Sequence, residues 1–585
     1  MQKQRMSSIL QRLMLGALIF LNLPSCTRPS KVTAPKEKIF RFGAEAKLVS
    51  LDPHVTKDVY SSQAQSLFYE TLYHYHYLKR PFEIVPVIAE SLPEVSKDRK
   101  TYKIRLKKGI HFHDDACFPG GKGREVKADD VVYLFHRMAT PNFSSPIYGA
   151  LEDNIEGIKD FHNGKAPSIT GVRAIDPYTV EIRLERILPR FLHILTDMRT
   201  AILPKECVEK YGDAFARRAV GTGAFVLQEA DLASKIVAVR NPNYRHMTYP
   251  AEGSVDDAEK GLLADAGKEL PLLDKVVFEV VVEAQPRWLK FMKGEYELIG
   301  IPKDNLPHAL EGEKLSSELQ ARGIKLFRSI RSDVTATIFN MDDPVWGKKK
   351  ELRQAYALTL DVPKIIEVQY GNQAIRAHSM IDPSMYGYDP AFKSKWAVRD
   401  VKRARALIAK AGYPDGKGLP PIIYPRDSST LSRQLEELLK AQLAEAGITL
   451  QAVPMTWPEM MRTQQTRNFV AMGIGMVSTV PDVEDMMGII NSKMIFSTQN
   501  SAAYRNPRVD KLIDEITMIE NGPARLAKIK EMIAILDEDL PYVPLTHRIG
   551  NQLVQSWVKN HVYTDNLLLG HFVKYHRIET SGERQ

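Results

Sequence analysis

Cysteine is almost absent from this sequence: its 585 residues include three, at Cys26, Cys117 and Cys207. So few cysteines exclude the disulfide-dense scaffolds of small secreted domains and zinc sites built from four cysteines. If Cys26 is modified, as argued below, Cys117 and Cys207 either form one disulfide or stay as two buried thiols. The sequence leaves these two alternatives open.

The patterns that most often carry catalysis are also missing. The sequence contains no Gly-x-Ser-x-Gly nucleophile elbow, no Cys-x-x-Cys and no His-Glu-x-x-His. Residues 119–124 are rich in glycine but lack the Gly-Lys-Ser/Thr ending of a phosphate loop, so a tight turn is expected there. His111 and His113 follow a predicted strand, and we interpret both as structural. We therefore expect neither an enzyme nor a protein that holds a metal or a cofactor.

Charge and hydropathy exclude two further classes of protein. The 80 Lys and Arg residues exceed the 71 Asp and Glu residues by a formal charge of +9. The two signs are interleaved along the chain and form no basic stripe, which argues against a nucleic-acid partner. A membrane-spanning helix needs about 20 apolar residues, and no apolar run after the first 25 residues approaches that length.

The N-terminal residues have the pattern of a signal peptide, which we assign to residues 1–25. Basic residues precede an apolar run over residues 13–23, which is too short for a comfortable membrane span. The motif Leu23-Pro24-Ser25-Cys26 resembles a bacterial lipobox, in which the cysteine is acylated and becomes the new N-terminus. We expect a lipidated Cys26, the alternative being an ordinary cleaved signal followed by a free thiol. Residues 26–38 are rich in Pro, Lys, Ser and Thr, which predicts a flexible tether.

Strands and helices alternate along the rest of the chain, which predicts an α/β fold. Apolar and charged residues alternate over residues 102–106 and 179–185, as expected of half-buried strands. Residues 275–282 form an almost continuous β-branched run, typical of a central strand. Apolar residues at helical spacing predict helices over residues 400–410 and 431–443.

Other segments are predicted to be purely structural. Residues 251–270 and 414–421 combine Gly, Pro and charges with weak periodicity, which predicts surface loops. Asp129 and Asp130 stand at the start of a predicted helix, where negative side chains interact favourably with the helix dipole. We therefore do not interpret this pair of carboxylates as catalytic.

A series of short motifs in a fixed order gives the chain a family resemblance. The motifs are Leu51-Asp52-Pro53-His54, Tyr69-Glu70-Thr71-Leu72-Tyr73, Tyr102-Lys103-Ile104-Arg105-Leu106, Ala128-Asp129-Asp130-Val131-Val132-Tyr133, Gly221-Thr222-Gly223-Ala224-Phe225, Arg240-Asn241-Pro242-Asn243-Tyr244, Val362-Pro363-Lys364-Ile365-Ile366, Ala411-Gly412-Tyr413 and Tyr504-Arg505-Asn506-Pro507. Together they resemble the family 5 extracellular solute-binding proteins of ABC importers, a group with oligopeptide-, dipeptide- and nickel-binding members. The resemblance extends over residues 39–576.

The resemblance implies a two-lobed periplasmic-binding-protein fold of type II, which closes about a hinge and carries an additional third domain. Lobe I is expected to comprise residues 39–75, 188–330 and 544–585. The extra domain is expected to comprise residues 76–187, and lobe II residues 331–543.

The same resemblance implies a substrate-binding lipoprotein that captures short peptides between its lobes and delivers them to an ABC permease complex in the inner membrane. It is expected to be an exported monomer that touches a membrane only through its lipid anchor. A peptide held by its backbone as an added strand leaves its side chains in hydrated pockets, so many peptide sequences are tolerated. The alternatives are a binding protein for a non-peptide solute such as a metal chelate, and a sensor component that presents its ligand.

Two segments are carried over from the family as the ligand-binding site. The loop that follows Leu51-Asp52-Pro53-His54 supplies backbone contacts in peptide-binding members. A second segment, which resembles Gly-Trp-x-x-Asp-Tyr, supplies an aspartate for the peptide's α-amine. The residues at these positions here are Lys57, Asp58, Val59, Tyr60, Gly475, Val477, Thr479 and Asp482.

The second segment departs from the family pattern at two positions. Met476 stands where tryptophan is usual, and Thr479 stands where the amine-binding aspartate is usual. Threonine carries no charge, and a charge-assisted hydrogen bond is about twice as strong as a neutral one. Either Asp482, Glu484 or Asp485 supplies the charge from a shifted loop, or the ligand is something other than an ordinary peptide. The sequence leaves both alternatives open.

Overall fold

The computed structural model describes residues 36–581, except residues 57, 81, 144, 189, 479, 496–498 and 564–571. The predicted signal peptide, Cys26 and most of the predicted tether lie outside the described residues, so these assignments stay predictions. Among the described residues, no helix combines the length and the apolar content needed to cross a membrane.

The strands are spread over the whole chain, as the alternation of patterns predicted. In the first half they are β1 (Ile39–Ala44), β2 (Tyr73–Tyr75), β3 (Ile84–Pro86), β4 (Glu94–Val95), β5 (Thr101–Arg105), β6 (Val172–Asp176), β7 (Thr179–Arg183), β8 (Phe225–Asp231), β9 (Lys235–Arg240) and β10 (Lys275–Val280). In the second half they are β11 (Leu298–Gly300), β12 (Leu310–Glu311), β13 (Lys314–Leu315), β14 (Lys325–Ile330), β15 (Asp333–Phe339), β16 (Ala374–Arg376), β17 (Ile422–Asp427), β18 (Leu450–Met455), β19 (Ala471–Val477), β20 (Tyr542–Val554), β21 (Val558–Lys559) and β22 (Arg577–Ile578).

The helices fall between these strands. They are α1 (Val59–Gln65), α2 (Ala128–Met138), α3 (Tyr148–Leu151), α4 (Ile158–His162), α5 (Phe191–Ile194), α6 (Lys205–Tyr211), α7 (Val255–Glu259), α8 (Ala284–Met292), α9 (Leu306–Ala309), α10 (Ser317–Ala321), α11 (Lys350–Thr359), α12 (Val362–Tyr370), α13 (Val401–Lys410), α14 (Thr430–Ala444), α15 (Trp457–Thr466), α16 (Glu484–Met487), α17 (Pro507–Ile516) and α18 (Pro523–Asp539). Short 3-10 helices occur at Pro119–Gly121, Met198–Thr200, Gly212–Arg217, Lys303–Asn305, Pro414–Gly416 and Ser492–Met494.

Two four-stranded sheets build the first half of the chain. One has the order β1-β10-β9-β8, with β1 and β10 parallel and the other neighbours antiparallel. The other has the order β4-β5-β7-β6 and is antiparallel throughout. The β-branched run over residues 275–282 was predicted as a central strand, and β10 confirms it because it lies between β1 and β9. The two alternating segments are confirmed as β5 and β7.

The two sheets of the first half share one hydrophobic core. Phe40 and Phe278 from the first sheet and Ile104 and Val180 from the second belong to the same buried cluster. Val554, from the end of β20, also joins this cluster. The second half has separate hydrophobic clusters, which include buried residues of β15, β19 and α18. The predicted boundaries between lobe I, the extra domain and lobe II stay predictions.

Three strands join the two halves, and we call β14, β15 and β20 the crossing strands. The long β20 is antiparallel to both of the others. Its first residues pair with β15, with Tyr542 opposite Ile338, and its last residues pair with β14, with Val554 opposite Lys325. The chain therefore passes from the first core to the second along β14 and β15. It returns along β20, which pairs with both of these strands.

Cys117 and Cys207 form a disulfide, which decides between the two alternatives that the sequence left open. Their Cα atoms lie 4.9 Å apart across a sequence separation of 90 residues. Cys207 belongs to α6 and is fully buried, whereas Cys117 packs at the edge of the same core. A link across so long a loop restricts the unfolded chain, which stabilises the folded state.

The helices predicted over residues 400–410 and 431–443 are confirmed as α13 and α14. The prediction of an irregular loop over residues 251–270 is wrong in part, because α7 forms there. Ser254 accepts a hydrogen bond from the backbone N–H of Asp257, and the Asp257 carboxylate accepts one from the backbone N–H of Ser254. This capping box stabilises a helix too short to show a period in the sequence.

Glu297 ties β1 to the end of β20 and is fully buried. Its backbone N–H donates to Arg41, and its backbone carbonyl accepts from Gln555. One carboxylate oxygen, Oε2, accepts a hydrogen bond of 2.5 Å from the backbone N–H of Arg41. The Arg41 guanidinium is 3.6 Å from the other oxygen, too far to compensate for the loss of water. Burial therefore raises the pKa of Glu297 to about 8.

We predict that Glu297→Gln reduces the loss of stability on going from pH 5 to pH 8. In the unfolded chain the carboxyl group ionises near its ordinary pKa of 4.5, whereas in the folded chain it keeps its proton up to about pH 8. Stability is therefore lost as the pH rises between these values, at up to about 1.4 kcal/mol per pH unit. Urea unfolding at several pH values measures the effect. Glu295→Gln, at an exposed position, is the control, and equal pH profiles for wild type and Glu297→Gln would contradict the assignment.

Candidate functional site

A cavity of about 540 Å³ lies where the two halves of the molecule face one another. Tyr60 and Gln63 of α1 line it from the first half, and Tyr370 and Gln373, at the end of α12 and beyond, line it from the second. Arg331 and Arg548, from the crossing region, lie between these walls. A solute in this cavity therefore touches both halves and the strands that join them.

The buried carboxylate of Asp333 organises the centre of the crossing strands. It is 1 % exposed, and its Oδ2 accepts a hydrogen bond of 2.7 Å from Nε of Arg548. Its Oδ1 accepts from the backbone N–H of Arg548 at 3.2 Å, and Nε of Arg331 lies 3.4 Å from Oδ2. The backbone carbonyl of Asp333 contacts Nδ1 of His547 at 2.8 Å. One carboxylate thus holds the two cavity arginines and fixes β15 against β20.

Tyr60 is held against the cavity by a neighbouring acid. Its hydroxyl donates to Glu45, which also forms an ion pair of 2.9 Å with Arg287. Burial, followed by the charge of Glu45, raises the pKa of Tyr60 to about 12. Tyr60 therefore stays protonated at neutral pH and presents its ring and hydroxyl to the cavity.

Aromatic and imidazole rings line another part of the cavity. The ring of His576 stacks on Phe40, with the ring centres 4.8 Å apart, and its Nε2 is 3.0 Å from Nδ1 of His561. Burial lowers the pKa of His576 to about 4 and that of His561 well below its usual value. Both imidazoles are therefore neutral near pH 7, and with Phe572 they form a mainly apolar wall.

The first predicted segment has one residue in the cavity. Tyr60 lines it, whereas Asp58 caps α1 by accepting a hydrogen bond of 2.8 Å from the backbone N–H of Ser61. Val59 is the first residue of α1. Lys57 lies outside the described residues.

The second predicted segment runs beside the crossing strands. Gly475 and Val477 belong to β19 and pair with Thr335 and Asp333 of β15, and Val477 is 42 % exposed. Asp482 is buried, and both of its carboxylate oxygens accept hydrogen bonds from Arg525. It does not line the cavity described above, and Thr479 lies outside the described residues. The ligand-binding roles of these residues stay predictions.

Sequence reasoning missed most of the cavity lining. Tyr370 is the last residue of the helix that begins with the motif Val362-Pro363-Lys364-Ile365-Ile366, and Gln373 follows it by three residues. The N-cap Asp361 and the left-handed Gly371 mark that helix in the sequence, so its last turn was recognisable. No sequence motif near Arg331 or Arg548 identifies either residue as part of the site. Each belongs to the site through its contact with Asp333.

Sequence comparison finds relatives along most of the chain. The family described as bacterial extracellular solute-binding proteins, family 5 Middle, matches residues 83–496. Heme-binding protein A of Haemophilus influenzae is 24% identical over 511 residues, which cover 86% of this chain and 85% of the relative. The periplasmic oligopeptide-binding protein OppA of Escherichia coli is 23% identical over 571 residues, which cover 92% of each chain.

Solved structures share the fold. The periplasmic binding protein DppA of Helicobacter pylori, in complex with the peptide STSA, superimposes with a TM-score of 0.71 at 21% identity and covers 93% of this chain and 99% of that one. The Escherichia coli murein tripeptide binding protein MppA gives a TM-score of 0.70 at 20% identity, with 93% and 99% covered. The predicted two-lobed α/β fold is thereby confirmed.

We predict that Asp333→Asn lowers the free energy of unfolding by about 2 to 3 kcal/mol. Breaking a fully buried ion pair costs about 3 to 5 kcal/mol, and the cost is smaller here because water reaches the arginines. The Arg548 side chain is 33% exposed. Urea unfolding of both proteins measures the difference.

Asp342→Asn is the matched control for this substitution. Asp342 pairs with Arg505 at 2.7 Å, but both side chains are about half exposed. Such surface pairs contribute less than about 1 kcal/mol. If Asp333→Asn were as mild as Asp342→Asn, the central role of Asp333 would be refuted.

Proposed function

The chain belongs to the bacterial extracellular solute-binding proteins of family 5, and we propose that it captures short peptides between its lobes and delivers them to an ABC permease. Because the family consists of solute-binding proteins, the expectation that the chain is not an enzyme is confirmed. The observation that carries the proposal is the cavity of about 540 Å³ with walls from both lobes. A ligand held by both walls favours the closed arrangement through its higher affinity for it.

The chemistry of the cavity suits a peptide backbone. Gln63 offers an amide that donates and accepts hydrogen bonds, as a peptide backbone does. Gln373 also lines the cavity, and its Oε1 accepts a hydrogen bond of 2.8 Å from Asn551. Tyr60 and Tyr370 add rings that accept apolar side chains. Small-ligand sites typically have volumes of about 300–1,000 Å³, and the volume of this cavity lies within that range.

One observation favours a second candidate, a planar aromatic solute such as a heme. Phe40, Phe572 and the neutral His561 and His576 form the apolar wall of the same cavity. Heme-binding protein A of Haemophilus influenzae is among the relatives. Peptide capture is preferred because the same cavity also carries a tyrosine and a glutamine from each half of the molecule.

Native mass spectrometry distinguishes the two candidates. The soluble form that starts at Thr27, purified without denaturant, is expected to carry a ladder of masses that fit short peptides. A single non-peptide mass would keep the binding role and replace the substrate. Added tri- and tetra-alanine should each give a complex of one peptide per chain.

A variant of the cavity wall tests whether these peptides occupy the described site. Tyr370→Ala is expected to lower peptide affinity about tenfold, the equivalent of about 1.4 kcal/mol. Tyr413→Ala removes another half-buried tyrosine that does not line the cavity and should bind as wild type does. Equal affinities for Tyr370→Ala and wild type would move the peptide site elsewhere.

We also propose that the protein is exported and anchored through a lipid on Cys26. Support comes from the motif Leu23-Pro24-Ser25-Cys26 and from the disulfide between Cys117 and Cys207, which suits an oxidising compartment.

We predict that Cys26→Ala moves the protein from the membrane fraction to the soluble fraction, because a single lipid-modified residue is the only expected attachment. Fractionation and the mass of the N-terminal peptide measure this. A membrane-bound Cys26→Ala protein would refute the anchor.

A further inference from the structure

A second cleft, of about 700 Å³, lies in the first half of the chain, and we call it the basic cleft. It is lined by the end of β5 and the residues after it, by the turn between β6 and β7, and by the loop after β9. Among the described residues, none lines both this cleft and the cavity between the lobes. Its Lys, Arg, Asp and Glu lining residues are the cations Arg105, Lys107, Lys108 and Arg245 and the acids Glu90 and Asp176.

Arg245 connects the basic cleft to the buried carboxylate of Glu70, which is 3% exposed. The Arg245 guanidinium donates to Oε2 of Glu70 at 2.5 Å and to Oε1 at 2.9 Å. Nζ of Lys574, a residue that is 8% exposed, donates to the same Oε1 at 3.4 Å. Tyr244 and Thr222 donate to this carboxylate as well. The single negative charge of Glu70 is therefore already shared by two cations.

Lys107 is a third cation beside this group, and it has no acid of its own. Its side chain is half-buried, and its Nζ donates to the backbone carbonyls of Val87 at 3.0 Å and Pro86 at 3.4 Å. In the part of the chain that the structure describes, no carboxylate lies within ion-pair distance of this Nζ. Burial, followed by the charge of Arg245, lowers the pKa of Lys107. An ammonium group has three N–H donors, so one of them stays available to the cleft.

Lys108 brings a further cation to the cleft. It is exposed, and its Nζ lies 5.3 Å from the centre of the Tyr178 ring. The two lining acids, Glu90 and Asp176, are exposed, and neither forms an ion pair with a lysine of the cleft among the described residues. Asp176 instead accepts a hydrogen bond of 2.8 Å from the backbone N–H of Tyr178. The cleft therefore combines two lysines that lack an acid partner with an arginine whose acid partner is shared.

We propose that the basic cleft is a second binding site, which holds a phosphate monoester group through Lys107, Lys108 and Arg245. A half-buried cation without a counter-charge is costly, and an anion in the cleft supplies that counter-charge. A phosphate monoester carries up to two negative charges and three acceptor oxygens, which suits several separate cations better than a carboxylate does. A free solute and a phospholipid headgroup can both present this group. The proposal does not depend on the peptide function.

Isothermal titration calorimetry with inorganic phosphate at neutral pH tests the site. The soluble form that starts at Thr27 is used, and sodium chloride keeps the ionic strength constant so that screening does not change. Wild type is expected to give a saturable isotherm with one phosphate per chain. An isotherm that does not saturate would overturn the proposal.

Lys107→Gln and Lys108→Gln test whether the phosphate occupies the basic cleft. The phosphate affinity is expected to fall about tenfold for the half-buried Lys107 and about threefold for the exposed Lys108, because each change removes a charge-assisted hydrogen bond. Lys108→Gln decides alone if Lys107→Gln does not fold. A wild-type affinity in either folded variant would refute the site.

Lys100→Gln is the matched control. Lys100 is also half-buried and also donates to a backbone carbonyl, that of Glu185 at 2.8 Å, but it does not line the cleft. Its removal changes the net charge by the same amount and should leave the phosphate affinity unchanged. Equal losses for Lys100→Gln and Lys107→Gln would contradict the proposal by showing a general charge effect.

Co-sedimentation with vesicles distinguishes the two sources of the phosphate group. Vesicles of phosphatidylcholine alone are compared with vesicles of phosphatidylcholine and phosphatidic acid. If the cleft holds a lipid headgroup, wild type and Lys100→Gln sediment with the phosphatidic acid vesicles, and Lys107→Gln loses about tenfold in this affinity. Phosphate binding without such a difference between the variants assigns the cleft to a free solute. Binding of neither inorganic phosphate nor phosphatidic acid would overturn the proposal and leave the peptide function untouched.

Discussion

The contact between Asp333 and Arg548 is the constraint on which the arrangement of the lobes depends. The chain crosses between its two cores along β14 and β15 and returns along β20, and the buried Asp333 carboxylate fixes one crossing to the other. Because the same carboxylate holds Arg548 and Arg331 at the cavity, the geometry of the joint and the geometry of the site are set together.

The strands and helices with strong periodicity were predictable from the sequence. Residues 102–106, 179–185 and 275–282 became β5, β7 and β10, and residues 431–443 became α14. Periodicity failed for α7, whose five residues are held by the Ser254 and Asp257 capping box rather than by an apolar face. The pairing of Cys117 with Cys207 was also undecided, because a separation of 90 residues says nothing about distance in the fold.

The site was less predictable than the fold, for a physical reason. Tyr60 was identified because it lies close to a family motif, and the structure places it in the cavity. Asp482 was selected for its charge, but its partner Arg525 lies 43 residues away and neutralises it. A sequence shows which residues carry charge, whereas only the fold shows which of those charges are already compensated.

The contacts between the lobes are individually modest, and this has a consequence for ligand capture. Nε of Arg190 and Oε2 of Glu484 face each other at 3.3 Å, yet neither atom has a hydrogen-bond partner among the described residues. The pair of Arg99 and Glu520 is exposed, and exposed pairs contribute less than about 1 kcal/mol. The exposed pair therefore adds little to the free energy of closure. A ligand that contacts both cavity walls can then shift the population with a differential affinity of a few kcal/mol. Stronger contacts between the lobes would close them without a ligand, and the occupied and empty forms would no longer differ in shape.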